Sequence, residues 1–176
     1  MKAIFLLILI SITMQSSTIF NFNKASDISN WSVIDDVVMG GKSLGKFHLN
    51  KEGIGVFEGA VSLDNNGGFS SLRYQFIEMS TKTYSKIILK VRGDDKKYQF
   101  RIKENTSDSH SYIASFEASK KWHSIEIPLS EMYPAFRGRT LDIPNFNGNS
   151  IEAIAFLIGN KKAENFKLEI ASITLK

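Results

Sequence analysis

Apolar positions in this chain alternate with polar positions in short runs, and this pattern predicts β-strands. Downstream of residue 17, no segment places apolar residues at helical spacing for three turns. Lys86–Arg92 and Ile151–Ile158 are apolar on both faces, so they are predicted as interior strands. Turn residues recur every 8 to 12 positions or so, which predicts about nine or ten short strands in an all-β sandwich.

Seven further strands are predicted, of which Tyr98–Glu104 alternates cleanly and therefore has one wet face. They are Phe20 with Phe22, Gly55–Leu63, Ser71–Phe76, Tyr98–Glu104, Tyr112–Phe116, Trp122–Pro128 and Phe166–Leu175. The last of these changes phase at Ala171-Ser172, which predicts a β-bulge. Leu129–Tyr133, ended by Pro134, is the one helical turn predicted, and Pro144–Ser150 is predicted to be a loop.

The N-terminus has the pattern of an export leader. Lys2 is followed by the apolar run Ala3–Ile10 and then by small and polar residues. Residues 1–17 are therefore predicted to be a signal peptide, with an uncleaved membrane anchor as the alternative. The rest, residues 20–176, is predicted to form a single domain in an exported protein, periplasmic or extracellular, that meets the membrane only if the leader is retained.

Composition removes several classes of function. The 176 residues contain no cysteine, so disulfides, thiolate metal sites and cysteine nucleophiles are excluded. The net charge of +4 is mild and dispersed, and no nucleic-acid partner is predicted. The densest basic cluster, Lys96, Lys97, Arg101 and Lys103, alternates with apolar residues and is predicted to be the solvated face of a strand.

Two glycine-rich segments organise the candidate site. Trp31–Gly45 contains Gly40-Gly41, and Asn65–Arg73 contains Gly67-Gly68. Double glycines allow tight turns and close backbone approach. The two turns are predicted to gather polar side chains at one place: Asp35, Asp36, Ser43, Asn66 and Arg73.

The order of landmarks along the chain resembles one known family. These landmarks are Asp36 with Val38-Met39-Gly40-Gly41 and Ser43, Phe57-x-Gly59, Asn66-Gly67-Gly68-Phe69-x-Ser71, Val91-Arg92-Gly93-Asp94 with Tyr98, Trp122 with Ile127-Pro128, and Phe136-Arg137-Gly138. From Phe20 to Leu175 the chain is similar to the complex I intermediate-associated protein 30 family. Val37 and Asp95 depart from the family pattern, because a small residue and a glycine, respectively, are usual there.

The resemblance implies a galactose-binding-like jelly roll, a β-sandwich of two antiparallel sheets. It also implies a role in assembling the respiratory NADH:ubiquinone oxidoreductase, by holding unfinished subunits rather than by catalysis. The predicted partner is therefore a protein, with respiratory-complex subunits as candidates. An exported carbohydrate-binding module that binds a glycan is the alternative function.

Asp35 and Asp36 raise a third hypothesis, an enzyme with paired carboxylates. Adjacent residues on an extended segment face opposite ways, so the two groups are not expected to share a proton. Asp36 is instead expected to accept hydrogen bonds from backbone N–H groups of the glycine turn. No calcium-loop spacing, zinc spacing or nucleophile elbow occurs, so no catalytic residue, metal or cofactor is predicted.

The arginines and tryptophans leave alternatives open. Arg92 either pairs with Asp94 or Asp36 to hold loops, or contacts a ligand. Trp31 and Trp122 are either core residues or platforms for a sugar ring, and the glycan hypothesis requires one of them exposed beside the site.

The predicted binding surface is a rim built from both glycine turns and neighbouring loops. Its residues are Asp36, Met39, Gly40, Gly41, Ser43, Asn66, Gly67, Gly68, Phe69, Ser71, Arg73, Arg92, Asp94 and Arg137.

Overall fold

The computed structural model describes residues 15–176, so the predicted leader lies almost wholly outside the described residues. The first strand begins at Ser17, three positions before the predicted start of the domain. Within residues 15–176, no helix has the length and apolar character needed to cross a membrane.

The described chain forms thirteen strands and three short 3₁₀ turns. The strands are β1 (Ser17–Asn21), β2 (Trp31–Asp35), β3 (Leu44–Leu49), β4 (Gly55–Val61), β5 (Ser70–Ser80), β6 (Lys86–Arg92), β7 (Lys96–Lys103), β8 (Ser111–Ala118), β9 (His123–Pro128), β10 (Tyr133–Phe136), β11 (Arg139–Thr140), β12 (Ser150–Ile158) and β13 (Glu164–Leu175). The 3₁₀ turns are Asp36–Met39, Asp64–Asn66 and Leu129–Glu131.

The strands make two antiparallel sheets, and the predicted all-β jelly-roll sandwich is confirmed. One sheet has the order β3-β4-β13-β6-β9, with β1 also paired to β13. The other has the order β11-β10-β8-β7-β12-β5-β2. Alternate residues of each strand face the other sheet, as period-two side-chain alternation requires. Buried aromatic and aliphatic side chains such as Phe57, Leu89, Phe100, Phe156 and Ile173 fill the space between the sheets.

Several local predictions are confirmed. Strands β6 and β12 are interior, each with a hydrogen-bonded neighbour on both sides. The bulge in β13 lies where the apolar phase changes, since its register to β6 shifts between Ile170 and Ser172. This bend lets β13 pair with β4 through Glu164–Ile170 and then with β1 through Ser172–Leu175.

Four strands were missing from the sequence prediction, and each lies at or beside the edge of a sheet. β2 is the terminal strand of the seven-stranded sheet. β3 is the terminal strand of its sheet, and its residues alternate between exposed and half-buried. β10 contains Pro134, and β11 has only two residues. Edge strands bury little and tolerate proline, so their sequences carry a weak apolar signal.

Strand register brings the loops of interest to one end of the sandwich. Strands β2, β4, β6 and β12 end there, and β5 begins there, because Ser70 pairs with both Asp35 and Ile158. The loops that follow β2, β4 and β6 therefore share this end. It is called the knot end, after the hydrogen-bonded cluster of loops described in the next subsection. They include the two predicted glycine turns and the segment after Arg92.

Candidate functional site

The knot end is organised by the buried carboxylate of Asp36. This side chain has no exposed surface and accepts four hydrogen bonds. The Ser43 N–H donates to Oδ1 at 2.9 Å, and the Ser43 hydroxyl donates to Oδ2 at 2.5 Å. The Gly68 and Phe69 N–H groups donate to Oδ2 at 2.6 and 3.2 Å. Asp36, Ser43, Gly68 and Phe69 form the carboxylate knot, which joins the two glycine turns as predicted.

Two glycines that flank the knot are required because the Asp36 carboxyl group approaches them closely. A Cβ at Gly41 or at Gly67 would overlap the carboxyl group of Asp36. Two others are favoured by backbone conformation, because φ is +91° at Gly40 and +139° at Gly68. The double glycines therefore allow the two turns to close on one carboxylate.

Asp35 anchors a different pair of groups from those bound by its neighbour. Its Oδ2 accepts a hydrogen bond from the Gly45 N–H at 2.9 Å, and its Oδ1 accepts one from the Ser70 hydroxyl at 2.5 Å. The two adjacent carboxylates thus have separate partners and share no proton. Asp35 ties the start of β3 to the start of β5, parallel to the link made by Asp36.

Electrostatics favour the ionised form of Asp36. Burial alone would raise the pKa of this carboxyl group, but the hydrogen bonds from Ser43, Gly68 and Phe69 outweigh it and lower the pKa below its usual value. A carboxylate with a lowered pKa and four donors is a poor general acid or base near neutral pH. The knot is suited to holding loops rather than to proton transfer.

Other residues of the predicted rim differ in their exposure and in whether they bind to the two glycine turns. Asn66 is exposed, whereas its neighbour Asn65 donates from Nδ2 to the Gly40 carbonyl at 3.0 Å. Asn65, with φ of +55°, was missed by sequence reasoning, although asparagine is the residue expected at such a position. The side chain of Met39 lies outside the described part of the structure.

Arg92 and Asp94 lie at the knot end but do not pair with each other. Arg92 binds Glu169 in a fork, from Nε at 2.5 Å and from a terminal nitrogen at 2.9 Å. Of the two alternatives left open for Arg92, the pairing with Asp94 or Asp36 is therefore wrong. Register explains this, because Arg92 lies directly opposite Glu169 across β6 and β13. Asp94 accepts hydrogen bonds from the Tyr98 hydroxyl and the Lys167 N–H, each at 2.9 Å.

Three residues of the predicted rim lie elsewhere. Ser71 and Arg73 line a cleft on the outer face of the seven-stranded sheet, because residues 71, 73 and 75 of β5 alternate with inward-facing ones. Arg137 lies in the β10–β11 hairpin, which extends beyond Ser111 at the opposite end of the sandwich. The expectation that Arg73 joins the polar cluster of Asp36 is therefore incorrect.

The two tryptophans have different environments. Trp31 is buried and stacks on Tyr74 at 4.6 Å between ring centroids, within a cluster that includes Phe20 and Phe22. Trp122 is half-buried beneath the guanidinium of Arg92, which lies 5.0 Å from its ring centroid. Trp31 is a core residue, and one face of the Trp122 ring is covered by the Arg92 guanidinium.

Three aliphatic side chains are exposed beside the knot. Val37, Leu44 and Leu63 are 58%, 60% and 45% exposed, and each is the chain neighbour of a residue in the hydrogen-bonded network around Asp36. Val37 follows Asp36, Leu44 follows Ser43, and Leu63 follows Ser62, whose N–H donates to the Ser43 hydroxyl at 3.0 Å. These three side chains are called the apolar rim. Among residues 15–176, no cluster of three or more His, Asp or Glu side chains is arranged to hold a metal ion.

One family model matches most of the chain. The model of the family described as Complex I intermediate-associated protein 30 matches residues 20–170. The chain belongs to this family. The match includes both glycine turns of the knot, the Arg92–Asp94 segment and the β10–β11 hairpin.

One relative of this chain is a mitochondrial protein. The mitochondrial Complex I intermediate-associated protein 30 of Mus musculus is 21% identical over 179 residues, which cover 89% of this chain and 55% of that protein. The chain thus spans about half the length of this relative.

The similar structures are carbohydrate-binding modules and a domain of a larger enzyme. A family 11 module of a cellulosomal cellulase of Clostridium thermocellum has a TM-score of 0.70 and 19% identity, covering 93% of this chain and 95% of the module. An exo-β-agarase has a TM-score of 0.59 and 8% identity, covering 90% of this chain and 24% of the enzyme. At these identities the likeness establishes the sandwich fold.

Proposed function

We propose that this chain is a non-catalytic binding domain that holds a protein partner at the knot end and acts as an assembly factor. The observation that carries the proposal is the apolar rim: three aliphatic side chains exposed beside a hydrogen-bonded, buried carboxylate. Exposed aliphatic groups on a rigid support bind apolar protein segments with little loss of conformational entropy. An unfinished subunit offers such segments because its own interfaces are not yet covered.

Family membership supports the identity of the partner. By analogy with the mitochondrial relative, the partner would be an assembly intermediate of the respiratory NADH:ubiquinone oxidoreductase. The predicted leader adds that the domain works in an exported location, on the far side of the membrane. The partner segment would then be one that a membrane subunit presents on that side.

Affinity capture from the native membrane and envelope fraction tests this proposal. The rim variant carries Val37→Ser, Leu44→Ser and Leu63→Ser, which remove apolar surface and leave the knot intact. The control carries Ile77→Ser and Ile143→Ser, at side chains that are 93% and 45% exposed outside the rim. We expect the wild type and the control to retain the same membrane-protein subunits and the rim variant to lose them. Retention of the same subunits by the rim variant would exclude the apolar rim as the binding surface.

A second candidate function, glycan binding, is favoured by a separate surface. The outer face of the seven-stranded sheet carries an open, shallow cleft lined mainly by polar side chains. Carbohydrate-binding modules share the fold, although the likeness extends to the fold alone. Isothermal titration with a panel of soluble oligosaccharides tests this function, and failure of every saccharide to bind would exclude it.

A further inference from the structure

The cleft on the seven-stranded sheet is a trough with a floor of alanines. β12 lies between β5 and β7, and its outward-facing residues Ala153 and Ala155 form the centre of the cleft. Their methyl groups rise little above the sheet, whereas Leu157 on the same face of β12 is larger. A ligand can therefore approach the backbone of β12 more closely than that of either neighbouring strand.

Strand register places long polar side chains in pairs on either side of this floor. Ala155 lies opposite Arg73 of β5 and opposite Arg101 of β7. Two strand spacings separate the Cα atoms of these arginines, about 9–10 Å, so their side chains can converge on one group above Ala155. In the next row, Ala153 lies between Gln75 and Lys103.

The cations of the trough lack carboxylate partners. Within residues 15–176, the ion pairs involve neither Arg73, Arg101 nor Lys103. Arg101 donates to the amide oxygen of Gln99 at 3.0 and 2.6 Å, and Lys103 donates to the backbone carbonyl of Asp108.

The charge of Arg73 also repels the other two cations. Burial and the charge of Arg73 lower the pKa of Arg101, and the same two causes lower the pKa of Lys103, which the Asp108 carboxylate partly offsets. The carboxylate of Glu152 accepts a hydrogen bond from the N–H of Thr106, a residue of the trough lining, at 2.8 Å. An anion bound between Arg73 and Arg101 would relieve this repulsion.

We propose that the trough binds an acidic oligosaccharide, with a sugar carboxylate held between Arg73 and Arg101 above Ala155. This inference rests on the second of the two proposed functions and names the ligand class of that site. Gln75 offers both a donor and an acceptor, and the Ser71 and Ser111 hydroxyls also line the trough. Such groups match the hydroxyls of a sugar ring beside the carboxylate.

The chemistry of the lining favours a sugar acid over an acidic peptide. Protein segments bind through apolar or aromatic anchors in pockets. The large hydrophobic side chains exposed among residues 15–176, namely Val37, Leu44, Leu63, Ile77, Phe136 and Ile143, are absent from the trough lining. A neutral sugar would leave the charges of Arg73 and Arg101 uncompensated.

Calorimetric titration of the whole chain with oligouronates tests the inference. The probes are oligomers of galacturonate, mannuronate and glucuronate, their methyl esters as uncharged counterparts, and an oligoglutamate peptide. We expect at least one oligouronate to bind, its ester to bind about 10-fold or more weakly, and added salt to weaken the binding. Arg73→Gln should weaken oligouronate binding by about 10-fold or more.

Two further variants separate the site from general charge effects and from misfolding. Ala155→Leu raises the floor without changing charge and should abolish binding, with thermal unfolding used to confirm that the variant folds. Lys24→Gln with Lys51→Gln removes two positive charges from exposed turns outside the trough lining and should leave oligouronate affinity unchanged.

The outcomes distinguish failure of the inference from failure of glycan binding. Equal binding of an oligouronate and its ester, or preference for the oligoglutamate, would overturn the acidic-sugar assignment while leaving the trough as a binding site. Oligouronate binding that Arg73→Gln and Ala155→Leu leave unchanged would move the ligand to another surface. If no saccharide binds, the glycan function fails and the inference fails with it.

Discussion

Replacing Asp36 by asparagine tests whether the knot end depends on one carboxylate. The substitution keeps size and shape but replaces one acceptor oxygen by an NH₂ donor. Oδ2 accepts from the Ser43 hydroxyl and from the N–H groups of Gly68 and Phe69. Backbone N–H groups cannot reverse their direction, so whichever way the amide is turned, its NH₂ group faces at least one donor. The variant therefore leaves buried polar groups unsatisfied.

The size of the effect follows from those lost bonds. A net hydrogen bond to a charged group contributes about 1.5–3 kcal/mol, and contributions within one network are not additive. The amide loses least when its NH₂ group faces the Ser43 N–H, the one donor to Oδ1. That orientation leaves one buried donor unsatisfied and removes the charge from the other three hydrogen bonds, so the substitution should destabilise the fold by roughly 2–4 kcal/mol. Asp35→Asn is a matched control, because its amide oxygen can accept from Gly45 while its NH₂ group donates to the Ser70 hydroxyl. We expect the control to cost about 1 kcal/mol.

Urea unfolding monitored by tryptophan fluorescence measures both variants at pH 7. If Asp36→Asn and Asp35→Asn destabilised the protein equally, or if Asp36→Asn cost less than about 1 kcal/mol, the assignment of Asp36 as the organising acceptor would be incorrect. Binding measurements on these variants would be uninformative, since loss of the knot alters every loop around it.

The pH dependence of the stability difference between the wild type and Asp36→Asn provides a second test. The pKa of Asp36 is lower in the folded protein than its ordinary value, and the unfolded chain has a pKa of about 3.9. The carboxylate therefore contributes its full stabilisation above the unfolded pKa and loses it as the pH falls through the folded pKa. We expect the stability difference between wild type and Asp36→Asn to shrink below about pH 4. A difference that stayed constant down to the acid transition would contradict the lowered pKa.

Three further predictions concern the glycine turn, the aromatic core and the ion pair. Gly41→Ala should destabilise the fold by about 2 kcal/mol or more because its Cβ would overlap Asp36, whereas Gly40→Ala should cost about 1 kcal/mol for its φ of +91° alone; equal urea midpoints would contradict this. Trp31→Ala should cost about 3–5 kcal/mol in the same assay because the ring is buried, and a loss under 1 kcal/mol or so would show that it is not core. A double-mutant cycle on Arg92 and Glu169 should give about 1 kcal/mol or less, because the arginine is 37% exposed; a larger coupling would show that solvent screens the pair less than expected.

The knot could be predicted from sequence because its signals are local. A double glycine after an aspartate indicates a tight turn, and asparagine beside another double glycine indicates a second one. The meeting of the two turns was an inference from their similarity. Which groups donate to Asp36 could not be predicted from the sequence. Gly68 and Phe69 lie more than thirty positions from Asp36, and their N–H directions depend on how β5 pairs with β2.

The position of Arg73 shows where the local signals end. Its place at the end of the glycine-rich segment Asn65–Arg73 suggested the polar cluster of Asp36, but strand alternation puts its side chain on the outer face of the sheet. The trough depends on β12 lying between β5 and β7, a long-range order that no motif encodes. Arg101 was predicted to lie on a solvated face, whereas the neighbouring strands cover enough of it to lower the pKa of its guanidinium group.

The residues that carry the family resemblance are largely those that hold the scaffold together. Gly41 and Gly67 make room for the Asp36 carboxylate, and Ser43 donates to it. The groups with free surface lie mostly outside the motifs: Val37 departs from the family pattern, and Arg101 is absent from it. A relative could keep the knot and present different side chains beside it or in the trough. In this chain the resemblance therefore accounts for the knot end, while the ligands proposed here depend on residues outside the motifs that carry it.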